Sequence, residues 1–218
     1  MVSESVKRGI RDLRYLLNRG YPRSSAVEFV SDHYQLELDD RHLLARCVFS
    51  DEEVRKHQKL RSDVEEVSDC EIGVDGYNVI ITVESIQRGK RVVICDDGFV
   101  RDLRALFGKY RMDDHTDMAV ETVVELLRKI DPARVEFFYD KQVSKSGELA
   151  GFTRRVMDDC GLEGGASTSG GTDAEVRKME IAASSDRAVI EKSRGAVDLP
   201  GELLGMAEEG QILDLWEI

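Results

Sequence analysis

No apolar run in this 218-residue chain approaches the roughly 20 residues needed to cross a bilayer, so a membrane-spanning helix is not expected. The N-terminus, MVSESVKRGIRDLRYLL, has neither a long apolar stretch nor a small-residue cleavage site, and it reads as an amphipathic helix rather than a secretory signal. Cysteine is sparse. Cys47, Cys70, Cys95 and Cys160 are scattered and form no C-x-x-C pair. That argues against a disulfide framework or a zinc site and suits a reducing cytoplasm, with the four thiols acting as small buried hydrophobes. Histidine is equally scarce, and none of His33, His42, His57 and His115 falls at the end of an expected strand, so no histidine-centred site is expected. Positive charge is short too: a net charge of −12 argues against a general nucleic-acid coat protein. No internal repeat is evident, and no proline or glycine run marks a domain boundary.

Where charge lies is more informative than its sum. Residues 1–67 carry 12 Lys and Arg against 13 Asp and Glu, whereas 68–218 carry 19 against 30. Nearly all the acidity therefore sits in the second part. The first turns are locally basic, with Lys7, Arg8, Arg11, Arg14, Arg19 and Arg23 against Glu4 and Asp12. This asymmetry predicts a basic contact surface beside an acidic site.

The hydrophobic periods divide the chain the same way. Residues 3–19 have a helical repeat, with Ile10, Leu13, Leu16 and Leu17 on one face and Lys7, Arg11 and Arg14 on another. Further helices are expected after Ser24 or Ser25 and over 39–49, and 51–66 reads as a solvated helix or a linker. From Glu71 short apolar runs alternate with helical stretches. Strands are expected at 71–75, 91–95, 134–139, weakly near 162–167, around 181–184 and at 195–198. Helices are expected at 78–88, 99–107, 115–130, 147–160, 173–180 and after Pro200. This alternation predicts an α/β domain over 67–218, with a parallel sheet covered on both faces, preceded by a small all-helical domain over 1–66.

In such a sheet, functional groups collect beyond the carboxyl ends of the strands. Aspartates recur there: Asp75 in VDGYN, Asp96 and Asp97 in VICDDG, Asp140 in FFYD, and Asp186 in AASSD. Asp173 opens a helix after the glycine-rich GGASTSGG, itself a flexible loop, a mobile cover for the site, or a source of backbone N–H groups near a phosphate. Carboxylates gathered at one edge repel one another, and a hard divalent cation such as Mg²⁺ or Mn²⁺ relieves the conflict. That combination suits a phosphodiesterase in which the metal polarises a phosphoryl oxygen and activates water. Each residue also has a plainer role: Asp75-Gly76 as a turn, and Asn78, Asp173 and Ser184 to Asp186 as helix caps. The basic face of Lys7, Arg11 and Arg14 is either simply solvated or a phosphate-contact surface for RNA.

VDGYNVI resembles the opening strand of the NYN branch of PIN-like nucleases, and FFYD, GGTDAEV and SSDRAVI follow in the order of that superfamily. The resemblance covers roughly 70–200. LRYLLNRGYPRSSAVEFVSDHYQL is similar to a small helical domain of unknown function found fused to such segments in archaeal proteins. The resemblance implies a flavodoxin-like sandwich and a Mg²⁺- or Mn²⁺-dependent ribonuclease. Asp75, Asp173 and Asp186 would be metal ligands, Asp140 a further one, and Asn78 a supporting neighbour. Thr172, Ser184 and Arg187, within the same motifs, would contact substrate. It also implies RNA as partner and homodimerisation as a common habit of such domains. Asp96 and Asp97 depart from the family pattern and either join the site or make a turn. A non-catalytic RNA- or protein-binding module is the alternative. A receiver domain does not explain the strand bearing VDGYN, and a haloacid-dehalogenase-like phosphatase would need a second aspartate that DGYN lacks.

Overall fold

Up to Leu60 the chain offers only helical periods, and it folds accordingly. In a computed structural model that describes residues 2–104, 110–208 and 210–218, α1 (Glu4–Asn18), α2 (Arg23–His33), α3 (Leu38–Cys47) and α4 (Asp51–Leu60) form a helical unit. Ser3 caps α1 by accepting from the Val6 N–H, and Ile10, Leu13 and Leu17 form its buried face. The charged stretch from Asp51 is a helix rather than a linker because Ser50 and Glu53 close a reciprocal capping box at its start.

The second part continues with β1 (Glu71–Asp75), α5 (Gly76–Gln87), β2 (Val92–Ile94), β3 (Val100–Asp102), α6 (Asp114–Ile130), β4 (Arg134–Asp140) and α7 (Ser146–Cys160). It ends with β5 (Gly164–Ser169), α8 (Thr172–Val176), β6 (Ile181–Ala183), α9 (Arg187–Ile190), β7 (Ala196–Val197), α10 (Leu199–Glu202) and β8 (Ile212–Asp214). Five strands make a parallel sheet in the order β5-β4-β1-β6-β7. The pleat sorts side chains between two layers. Val135, Phe137 and Tyr139 of β4 join the main core with residues of α5, α6 and α7, while Phe138 packs with Val176 and Val189 on the other face. The chain is thus α/β with helices on both faces of a parallel sheet, as the alternation predicts.

Three expectations need correction. The helix expected over 99–107 is absent from its described part. Val100–Asp102 pairs antiparallel with β2, while 105–107 lie outside the described residues. The cause is the DDG turn: Gly98 adopts φ +83° and donates to the Cys95 carbonyl at 2.8 Å, folding the chain back into a hairpin. The run 91–95 therefore belongs to a second, three-stranded sheet, β3-β2-β8, whose last strand was not expected. The glycine-rich GGASTSGG is mostly the edge strand β5, in line with the strand expected weakly near 162–167 and against the loop reading of the same residues. Gly164 sits at φ +139°, where a Cβ would lie 1.8 Å from the Val135 carbonyl oxygen, so glycine is what permits this pairing.

The helical unit is joined to the second sheet by a shared core, in which Leu13, Leu43 and Phe49 meet Val93, Cys95 and Leu215. Cys47 and Cys95 are buried there, whereas Cys70 and Cys160 are partly exposed, and all four are free thiols. No helix among the described residues is long and apolar enough to cross a membrane.

Candidate carboxylate site at the sheet edge

β1 ends at Asp75 and α5 begins at Gly76, with no loop between them. A Cβ on Gly76 would lie 2.3 Å from Cε1 of Tyr139, so the glycine lets the helix start press against that buried ring. The ring is held by a 2.8 Å hydrogen bond between its hydroxyl and Thr153. Gly76 is therefore a close-packing requirement as well as the first residue of a helix. Asn78 lies inside the first turn of α5 rather than capping it. Its Oδ1 accepts from the Ser185 backbone N–H at 2.8 Å and from the Ser185 hydroxyl at 3.0 Å. Ser184 donates to Asp75 Oδ2 at 3.1 Å and accepts from the Asp186 N–H at 3.1 Å. The SSD and DGYN motifs, more than a hundred residues apart in sequence, are thus bonded to each other through side chains. Asp186 does cap α9, accepting from Ala188 and Val189. Asp140 ends β4 and accepts from the Gln142 N–H at 2.8 Å.

Asp75, Asn78, Asp140, Thr172, Asp173 and Asp186 all line one cavity of about 530 Å³. It lies beyond the carboxyl ends of the strands, beside the place where strand order reverses between β1 and β6. Burial pushes the Asp75 carboxyl up to about 7; the Ser184 hydroxyl opposes this, and the neighbouring Asp173 and Asp186 carboxylates add to it. Tyr77, Arg46, Asp102, Arg104 and Tyr110 complete much of the wall. Burial, with Asp140 nearby, raises the Tyr77 hydroxyl to about 12, so it remains a donor at neutral pH. The Tyr77 hydroxyl and Thr172 Oγ1 are buried with no hydrogen-bond partner among the described residues. Arg104 is anchored by the buried Glu84 at 2.8 Å.

Among the described residues, no three His, Cys, Asp or Glu side chains converge tightly enough to enclose a metal ion. The donors around the cavity are nevertheless all oxygen, several are carboxylates, and two hydroxyls lack partners. This chemistry suits a hard cation held by one or two carboxylates and water rather than by a closed protein cage.

Lys7, Arg11 and Arg14 are not brought to this cavity. Arg14 pairs with Asp96 at 2.6 Å and donates to the Leu215 carbonyl at 2.6 Å, and Arg11 donates to the Ile218 carbonyl at 3.2 Å. Lys7 lines a separate cavity with Arg91 and Ile218. This face of α1 fastens the C-terminal strand region. Asp96 and Asp97 lie in the β2–β3 turn, away from the cavity. Burial opposes charge on Asp97, but Arg101 and His57 hold its carboxyl down to about 2. Arg187 faces an adjoining cavity. Tyr77 could have been found from its place within DGYN. Arg46 and Arg104 carry no local signal, being ordinary cations among 31.

A family model described as a domain of unknown function (DUF5616) matches residues 64–202, and one described as a protein of unknown function (DUF434) matches 5–59. The chain is 33% identical over 202 residues to an uncharacterized protein of Methanocaldococcus jannaschii, covering 92% of this chain and 97% of that one. No solved structure matches the chain.

Proposed function

Because the chain belongs to DUF5616, a family described only as a domain of unknown function, we propose its activity from the site itself: hydrolysis of RNA phosphodiester bonds with the help of Mg²⁺ or Mn²⁺. The observation that carries this reading is the single cavity lined by Asp75, Asp140, Asp173 and Asp186, which come from separate strand ends and helix starts. Gathering like charges where one carboxyl is already raised to about 7 is costly. A divalent cation, held by one or two of the carboxylates that line the cavity and by water, removes that cost. Asp75 with Asp173 or Asp186 would hold it beside water, and Asp140 lines the same cavity. When bound, the cation supplies Lewis acidity toward a phosphoryl oxygen.

The chain's own groups do the rest. The partnerless hydroxyls of Tyr77 and Thr172 donate to phosphoryl oxygens. Asn78 and Ser184 keep the Ser185–Asp186 turn at a fixed distance from Asp75. Arg104, held by Glu84, lends a fixed positive charge to the wall. The preference for RNA and the likeness to PIN-like nucleases rest on the motifs VDGYN, FFYD, GGTD and SSDR, whose aspartates all meet at this cavity.

A non-catalytic RNA-binding module is the second reading, favoured by the lack of three converging ligands among the described residues. The two separate in one experiment, incubation of a mixed pool of labelled RNAs with the protein and Mn²⁺. Cleavage that disappears with EDTA and in the Asp75→Asn, Asp186→Asn double variant supports the nuclease. Intact RNA beside folded protein that shows no heat of Mn²⁺ binding leaves the binding module.

A further inference from the structure

A second, smaller cavity of about 160 Å³ adjoins the carboxylate site and is rich in arginine. Arg23, Arg46, Arg101 and Arg187 line it, with Ser185 and Asp186. Arg46 and Asp186 line both cavities, so an elongated ligand could run from one into the other. The cavity is also a seam: Arg23 and Arg46 come from α2 and α3 of the helical unit, while Arg187 directly follows Asp186 at the start of α9.

The four guanidiniums differ in what they can still bind. Arg101 is buried, gives Nη1 and Nη2 to Asp97 at 2.7 Å each, and gives Nε to the Ser185 carbonyl at 2.8 Å. Arg23 donates to Glu53 and to the Val48 carbonyl, but its Nε is buried with no hydrogen-bond partner among the described residues. Arg46 and Arg187 are the accessible pair, 38% and 45% exposed. Arg46 donates Nη1 to the Asp102 carbonyl at 3.0 Å and comes no nearer to the Asp102 carboxylate than 3.8 Å. Arg187 reaches Glu53 at 3.1 Å through Nη1. A guanidinium has five N–H donors, so both retain donors for an incoming anion.

We propose that this seam is a phosphate subsite, in which Arg46 and Arg187 grip the RNA backbone phosphate next to the one at the carboxylates. The identity of the ligand rests on the nuclease reading above; the anion preference rests on the arginines. A chain of net charge −12 with an acidic pocket repels a polyanion, and it needs a local cationic hold immediately beside that pocket to retain one. Through Arg46 the helical unit contributes a substrate anchor on α3, a helix away from the basic face of α1.

The test is binding of a short, labelled single-stranded RNA, followed by fluorescence anisotropy in EDTA across a salt series, so that no cleavage intervenes. Wild type, Arg46→Ala, Arg187→Ala and Arg46→Lys are compared, after circular dichroism shows that each is folded. Each alanine variant is expected to weaken binding about tenfold, the effect of one lost charge-assisted bond. Each should also lower the salt slope by part of the roughly 0.7 that one single-strand phosphate contact contributes, since the two arginines share one phosphate. Arg46→Lys is expected to keep the slope, since the charge remains; a purely structural role for Arg46 would leave the slope of both variants unchanged. If Arg46→Ala does not fold, the more exposed Arg187 carries the test alone. Undetectable binding by folded wild type, or unchanged affinity and slope in the folded alanine variants, overturns the subsite. Cleavage with Mn²⁺ is scored separately. A wild type that cleaves while its variants bind RNA normally refutes the subsite and keeps the nuclease. One that binds through the arginines but never cleaves does the reverse.

Discussion

Replacing Asp75 by asparagine should make the metal-free protein more stable at alkaline pH, although it removes a residue central to the site. The Asp75 carboxyl titrates near 3.8 in the unfolded chain and is raised to about 7 in the fold, by burial first and by Asp173 and Asp186 after it. A carboxyl so raised binds its proton more tightly folded than unfolded. Its contribution to stability is complete below about 3.8, declines as pH rises, and is lost once pH passes about 7. The shift of about 3 units corresponds to about 4 kcal/mol, and relaxation at a partly exposed carboxyl brings the expectation to about 2–4 kcal/mol. Asparagine is nearly isosteric, and its Oδ1 can still accept the Ser184 hydroxyl. The two proteins should therefore match near pH 4 and diverge above it, with Asp75→Asn ahead by about 2–4 kcal/mol at pH 8 in EDTA. Asp198, which burial raises to about 6, weakens both proteins alike and cancels in the difference. Urea unfolding, followed through the single Trp216 and by circular dichroism, measures the difference at each pH. Adding Mn²⁺ should narrow the gap, because only wild type keeps the full ligand set; a cation at 100 times its Kd adds about 2.7 kcal/mol. A difference that does not change with pH, or a variant equally destabilised at pH 5 and pH 8, would refute the claim that burial, with the neighbouring carboxylates, holds Asp75 near neutrality.

Three further outcomes follow from packing and bonding. Gly76→Ala should cost about 1–3 kcal/mol, since its Cβ meets the Tyr139 ring at 2.3 Å, and an unchanged melting temperature would show that the helix start is free to shift. Asp97→Asn should cost about 3–5 kcal/mol in urea unfolding, because Arg101 is left buried without its bidentate partner. Asp97 is held at about 2 against 3.8 in the unfolded chain, so its contribution is present above pH 3.8 and disappears as pH falls toward 2; a wild-type midpoint at pH 7 in the variant would sink this account. Asn78→Ala should lower kcat for RNA cleavage about a hundredfold, the penalty for a small misplacement of catalytic groups, while stability falls by no more than about 1–2 kcal/mol. Equal kcat in the two proteins would mean that the Ser185 turn keeps its place unaided.

The main sheet was legible because its signals are local. Apart from the edge strand β5, each strand from EIGVD to GAVD is a short apolar run that ends at a polar group at the sheet's carboxyl edge. The second sheet was not legible, because its two decisive features are not local. RVVIC looks the same whether it enters the main sheet or pairs with Ile212–Asp214 far down the chain. The segment after Gly98 has helical spacing that loses to a hairpin, because Asp97 is locked to Arg101 across the turn by two bonds of 2.7 Å. GGASTS has the composition of a loop and becomes a strand because the Val135 backbone lies too close to Gly164 for any side chain. Pairing partners overrode propensity in each case.

The same distinction decides which site residues could be read. A carboxylate after a strand of the main sheet is easy to place, since the strand fixes the edge; Asp96 and Asp97 follow a strand of the other sheet and lie elsewhere. Asp75, Asp140, Asp173 and Asp186 were therefore found without any knowledge of contacts. A cation on a helix gives no such notice. Lys7, Arg11 and Arg14 formed the obvious basic face, yet Asp96 in the β2–β3 turn and the C-terminal carbonyls of Leu215 and Ile218 took two of them. Arg46, in the last turn of the helix LDDRHLLARC, lines the carboxylate cavity. Charge asymmetry along the sequence pointed to Lys7, Arg11 and Arg14 of the first turns, which lie elsewhere, whereas Arg46 of the helical unit lines the carboxylate cavity. Which cation stands there depends on how α3 docks against β3, where Arg46 meets the Asp102 carbonyl. A basic stripe in a sequence is therefore weaker grounds for a nucleic-acid surface than a single arginine whose backbone anchor leaves its guanidinium facing the site.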